Sequence, residues 1–219
     1  MKHLKSYKIF ENKQTDEEIH ELCRRYKIKN YTINEDKSID VDGDVDLINK
    51  DLTKLPLNFR NVIGYFDCVS NNLTTLEGAP EILGSYFDCS DNKLITLEGA
   101  PETVDDNFYC YHNNLTTLEG SPRRVGGNFN CYVNKNLMSL EGISPTIHGD
   151  FNCLYTPVFY FWKEFLNKDK SLIDSFVEEW DVIHEDTVII EVLEGWMEDN
   201  NINVKIDIEK IKSLGYKIG

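Results

Sequence analysis

Six cysteines in a chain of 219 residues invite two kinds of chemistry: a disulfide or a metal thiolate. Their spacing argues against both. Cys68, Cys89, Cys110, Cys131 and Cys153 are separated by 21, 21, 21 and 22 residues, and Cys23 stands apart. Disulfide frameworks and zinc sites draw on close pairs such as C-x-x-C, and none occurs in this chain. A cysteine that recurs at a long fixed period plays one part in successive copies of a unit, that of a small hydrophobe in a core.

Other side chains offer only partial motifs. The run IDVDGDVD at 39–46 has the look of a calcium loop, but an EF-hand needs Gly sixth and Glu twelfth. Counted from Asp40, Gly43 is fourth and Asp51 is twelfth, so the motif fails. A strand with its acids facing water accounts for the run better. Glu77, Glu98, Glu119 and Glu141 recur at the repeat period, which makes either a column that collects cations or a solvated edge. The five histidines form no HExxH pair, and no G-x-S-x-G, P-loop or G-x-G-x-x-G is present. No catalytic residue, metal ligand set or cofactor is expected, and the chain reads as non-enzymatic.

The elements that carry these residues are copies of one another. NNLTTLEG occurs at 71–78 and again at 113–120, with NKLITLEG between them at 92–99. Aligned on cysteine, each copy reads F-x-C-x-x-N-x-L-x-x-L-E-G-x-P. Leu47, Leu52 and Leu55 continue the register backwards, giving about six strand positions within 45–155. Phe66 and Cys68 are two apart and so face one side of a short strand, with Asp67 on the other. Asn71, Asn92, Asn113 and Asn134 fall at the bend, where an amide can bond the backbone of neighbouring coils. Gly78, Gly99, Gly120 and Gly142 suit a non-helical return arm. The copy after Cys131 is one residue longer near Asn136, which predicts a small bulge.

This pattern resembles the leucine-rich repeat, with Phe and Cys in the strand positions, and is most similar to the short class of bacterial effector proteins. It also resembles repeat proteins of bacteriophages and bacteria with F-x-C-x-x-N-x-L-T-x-L-E-G-x-P copies. The resemblance covers 45–155, about half the chain. The expected fold is α/β: a short leucine-rich-repeat-like solenoid with a parallel β-sheet face, an α+β N-terminal cap and a mainly helical C-terminal cap. The phage likeness implies a host-directed role, such as blocking a host enzyme or defence component.

A solenoid exposes raw ends and needs caps. In 1–44, TDEEIHELCRRYKI reads as a helix with Thr15 and Glu18 as a capping box and a stripe of Ile19, Leu22, Cys23 and Tyr26. YTINEDKSIDVDGDVDL follows as strands or a hairpin. In 156–219, TPVFYFWKEFL, KSLIDSFVEEW and TVIIEVLEGWMED read as helices, the second lined by Leu172, Ile173, Phe176, Val177 and Trp180. NINVKI reads as a strand and IDIEKIKSLGY as a last short helix.

The outward strand positions differ from coil to coil, unlike the core columns. Five of the eleven tyrosines fall in them, which selects this face as the candidate surface. Tyr65, Asp67, Tyr86, Asp88, Tyr109, Tyr111, Asn130, Tyr132 and Asn152 combine rigid aromatic contacts with adaptable hydrogen bonds, the mix of a protein-recognition surface. Tyrosine's liking for strands is the plainer account. The net charge of −15 disfavours nucleic acid and favours a protein partner with a basic surface. No apolar run approaches a membrane span and the N-terminus lacks a secretory h-region, so cytoplasm is expected, that of the host if the chain is phage-encoded. Two alternatives stand beside the protein-binding module. One is a small-molecule or nucleotide-signal binder using Arg123 and Arg124; the other is self-association through the C-terminal helices.

Overall fold

A computed structural model describes residues 14–160, 183–184, 187–199 and 206–219. Helix α1 (Asp16–Tyr26) opens the described chain. The Thr15 hydroxyl accepts from Glu18 N at 3.3 Å and the Glu18 carboxylate accepts from Thr15 N at 2.8 Å, completing the expected capping box. Ile19 and Cys23 are its buried residues. An antiparallel hairpin follows, β1 (Tyr31–Ile33) with β2 (Ile39–Val41).

The repeats coil as read. One sheet is built from β3 (Val45–Asp46), β5 (Phe66–Asp67), β7 (Phe87–Asp88), β9 (Phe108–Tyr109), β11 (Phe129–Asn130) and β13 (Phe151–Asn152). All are parallel and in register, Phe66 against Phe87 and Phe87 against Phe108. Phe66, Phe87, Phe108 and Phe129 are buried, and so are all five periodic cysteines. The degenerate first coil is real: Val45 pairs with Phe66, which places buried Leu47 in the cysteine column.

The return arm holds more order than expected. A second parallel sheet runs along it, from β4 (Phe59–Val62) through β6 (Ile82–Leu83), β8 (Thr103–Val104) and β10 (Arg124–Val125) to β12 (Thr146–Ile147), joined to β2. One aliphatic residue per coil drives it: Val62, Leu83, Val104 and Val125 are buried against the Phe and Leu columns. The fold is thus a repeat solenoid with two parallel faces around one core.

Between the sheets each coil turns on a residue at positive φ, namely Ser70, Asp91, His112 and Val133, followed by the asparagine. Asn113 Nδ2 donates to the carbonyls of Cys89, Cys110 and Tyr111, while its Oδ1 accepts from Leu94 N at 3.0 Å. Asn71, Asn92 and Asn134 repeat the scheme, tying each coil to the one before. In the last coil Thr156 replaces asparagine, donates to Cys153 O and caps a helical turn at 157–160. The additional residue near Asn136 is absorbed in the exposed turn at 135–136 and makes no bulge, because an insertion outside the ladder leaves strand register intact.

The C-terminal cap has its own core of Ile183, Val188, Leu193, Trp196, Met197, Ile211 and Tyr216. It contains helices α2 (Ile190–Asp199) and α3 (Ile208–Ser213) and a small sheet of β14 (Ile183–His184), β15 (Thr187–Val188) and β16 (Lys217–Ile218). The helix expected from Thr187 therefore begins at Ile190, since Thr187 and Val188, both β-branched, pair with β16 instead. The Tyr216 hydroxyl donates to Met138 O at 2.6 Å and fastens the cap to the solenoid. The stripe expected over Leu172 to Trp180 lies outside the described residues, as does the strand expected over NINVKI apart from Ile206, which is in no strand. Among the described residues no helix is long and apolar enough to cross a membrane.

The thiols follow from this core. All six cysteines are unpaired and buried, and burial pushes Cys68, Cys89, Cys110 and Cys131 well above the usual thiol range. Native protein should therefore give near-zero thiol titre with a thiol-reactive chromogen, rising to all six only in denaturant. A fast-reacting native thiol would contradict the packing.

Candidate interaction surface

The outward columns of the β3–β13 sheet bring the tyrosines together. Parallel in-register coils lie ~4.8 Å apart, so rings in one column meet face to face. Tyr65 and Tyr86 stack at 4.9 Å and 7°, and Tyr111 and Tyr132 at 4.5 Å and 10°. Tyr109 joins the two stacks edge-on, 6.3 Å from Tyr86 and 6.4 Å from Tyr111. The five rings form one aromatic band running obliquely across four coils, with His112 packed edge-on against Tyr111 and Tyr132. Asn130 follows Tyr109 in the same column and Asn152 ends it. Asn152 Oδ1 is occupied locally, accepting from Leu154 N.

The face is less open than an outward position implies. Every tyrosine of the band is half-buried, and Asp67, expected to face water, is only 8% exposed. The tyrosines fold over the acid beside them. Asp46, Asp67 and Asp88 stand next to one another in one column because β3, β5 and β7 are in register. Burial pushes the Asp67 carboxyl up. Burial, followed by the charges of Asp67 and Asp91, pushes Asp88 up to about 6, against the backbone bond from Ser90 N, which pulls it down. Burial and nearby acids, Asp67 first, push Tyr86 to about 12.

Sequence reading missed Asp44, Asp46, Asp91 and His112 as members of this surface, and placed Ser90 only as an outward position between Val69 and Tyr111. Stepping 21 residues back from Tyr65 and Asp67 reaches Asp44 and Asp46, so the period contained that signal. The burial of Ser90 had none. It depends on the rings around it.

The other candidates fall elsewhere. Asp40 is tied to Arg60 through a two-point ion pair, and Asp44 and Asp46 accept from the backbone of Tyr65 and Ile48, so the acids of 39–46 brace the first coil. Glu77, Glu98, Glu119 and Glu141 are all exposed along one edge. Arg123 and Arg124 lie on the second sheet, paired with Glu102 at 3.5 Å and Asp105 at 2.8 Å. A cleft of about 810 Å³ lies where the solenoid edge meets the C-terminal cap, lined by residues including Thr116, Glu119, Lys135, Met138, Glu141 and Leu214.

Asp88 gives a test of this electrostatic picture. Its folded pKa lies above that of an unfolded aspartate, so the native state binds the proton more tightly and stability falls as pH rises between about 4 and 6. The cost is fully present above that window. Asp88→Asn keeps the acceptor for Ser90 N, which lies 2.9 Å away, and removes the buried charge facing Asp67, Asp91, Tyr86, Tyr109 and Tyr111. It should stabilise by on the order of 1–2 kcal/mol at neutral pH, allowing for partial solvation, and by nothing below about pH 4. Denaturant melts at both pH values would check it; equal effects would refute the burial account.

Compared with known proteins, the chain matches no family model, no curated protein and no solved structure.

Proposed function

We propose that this chain is a non-catalytic protein-binding module whose partner docks on the β3–β13 sheet face. The continuous band of Tyr65, Tyr86, Tyr109, Tyr111 and Tyr132 carries the reading, because stacked tyrosines offer a large, pre-ordered contact area with little torsional freedom left to lose. In this reading the solenoid is leucine-rich-repeat-like and phage-encoded or bacterial. It acts in the cytoplasm on a host protein, with interference in host defence as the role its likeness to phage repeats suggests. That last step is an analogy of fold and motif.

The test is an affinity purification from bacterial lysate with wild type and with Tyr86→Ala/Tyr109→Ala/Tyr132→Ala, folding being checked by circular dichroism. A protein held by wild type and released by the triple variant supports the sheet face. A protein held equally by both moves the interface to the C-terminal cap.

The cleft beside Lys135 and Leu214 supports a second reading, a small-molecule binder. Glu119 and Glu141 in its lining oppose a phosphate. Absorbance near 260 nm carried by pure protein would favour it, and a mass that rises with concentration would favour self-association.

A further inference from the structure

The charge on the sheet face is one-sided. Coil by coil, the outward positions and the positive-φ residue after each include Asp44, Asp46, Asp67, Asp88, Asp91 and Asp150 and no Lys or Arg, the turns continuing with Lys50, Lys93 and Lys135. The described arginine pairs lie elsewhere: Arg60 with Asp40, and Arg123 and Arg124 with Glu102 and Asp105. On this face the one described ion pair is His112 with Asp91, at 3.2 Å. Asp67 and Asp88 are thus neighbouring, largely buried carboxylates with no cation from the described residues between them. Such an arrangement costs stability unless something neutralises it.

A second observation marks the same spot. Ser90 is fully buried in the next outward column, and its hydroxyl is the one buried side-chain oxygen or nitrogen among the described residues with no hydrogen-bond partner. It sits beside the Asp88 carboxylate and the Tyr111 phenol without a bond of normal geometry to either. A group bringing several N–H donors and a flat apolar face would meet the needs that a partner can reach, giving hydrogen bonds to Asp88 and stacking on tyrosine, with the sealed Ser90 hydroxyl behind them. A guanidinium has that shape; an ammonium lacks the flat face.

We infer that the notch between the Asp67 and Asp88 carboxylates and the rings of Tyr86, Tyr109 and Tyr111 receives an arginine side chain from an extended basic segment of the protein partner. The inference rests on the sheet face being the interface and names what that interface recognises. Asp44 and Asp46 at one end of the face draw the rest of such a segment along the columns, and the net charge of −15 speeds its arrival.

The experiment uses the full chain and a fluorescein-labelled peptide, Gly-Ser-Arg-Ser-Arg-Ser-Arg-Ser-Gly, read by anisotropy at about 50 mM and about 300 mM salt. Counterparts carry Lys or Gln in place of Arg. The Arg peptide should bind roughly tenfold tighter than the Gln peptide and several-fold tighter than the Lys peptide. Asp67→Asn/Asp88→Asn, which keeps shape, should lose roughly tenfold, whereas Glu102→Gln/Asp105→Asn on the other sheet should lose less than about twofold. Equal binding of Gln and Arg peptides overturns the inference. Equal losses from the two double variants also overturn it, since bulk charge would then explain the binding. The outcome for the interface itself is separate. If a Tyr-dependent partner is captured from lysate and the Arg peptide neither binds nor competes, the sheet-face reading stands and the arginine notch falls. If the Arg peptide binds and the tyrosine triple variant binds it as well as wild type, the notch as described is overturned.

Discussion

Asn113→Ala should cost about 3–5 kcal/mol and lower Tm by roughly 10 °C. The side chain is 6% exposed, and its amide answers three carbonyls and one backbone N–H drawn from its own coil and the one before. Alanine leaves those groups facing one another with no room for a full hydration shell, and each buried orphan costs about 1–3 kcal/mol. Asn113→Asp sharpens the test. It preserves the acceptor for Leu94 N but turns an oxygen toward the carbonyls of Cys89, Cys110 and Tyr111, so it should be at least as damaging as alanine. Asn114→Ala, next door and exposed, should stay within about 0.5 kcal/mol. Chemical denaturation of the three variants would decide. A neutral Asn113→Ala would mean that the ladder is ornamental.

Gly120→Ala should be comparably severe, at about 4 kcal/mol, for a different reason. Gly120 sits at φ +85, and a Cβ there would lie 2.3 Å from Glu98 N and 2.4 Å from Leu97 C. Both are backbone atoms of the preceding coil, which cannot yield without spreading the stack. Gly215 separates the two contributions. Its φ is +98, but the nearest atom to a Cβ would be the Met138 methyl at 3.6 Å, so Gly215→Ala should show only the backbone penalty of about 1 kcal/mol. Similar losses at the two sites in a thermal melt would show that inter-coil contact at Gly120 contributes nothing.

These two residue types explain why so much of the fold was legible. Where each coil meets a near-identical coil, the contacts repeat, and a repeated contact selects the same residue at the same offset. Asn71, Asn92, Asn113 and Asn134, the cysteine column, and Gly78 through Gly142 are read from the sequence for that reason. The capping box at Thr15 and Glu18 was legible because its partners are only three positions apart.

What stayed hidden depends on neighbours outside the local pattern. Ile82–Leu83 and its counterparts are two-residue strands, too short for alternation to declare a sheet, and exist because the adjacent coil supplies the partner. Thr187 and Val188 left the helix pattern for a strand because Lys217 and Ile218 come back to pair with them. The candidate surface divides in the same way. Sequence alone determined which columns face outward, that five tyrosines occupy them, and that acids accompany them. The tertiary structure decided that Tyr109 bridges two stacks into one band, that Asp67 and Asp88 sink beneath the rings, and that the Ser90 hydroxyl is sealed without a partner. Facing is fixed by the two-residue period of a strand, a local property of the backbone. Burial of an outward side chain is fixed by the size and rotamer of residues one coil away, and only the stacked molecule brings those within reach.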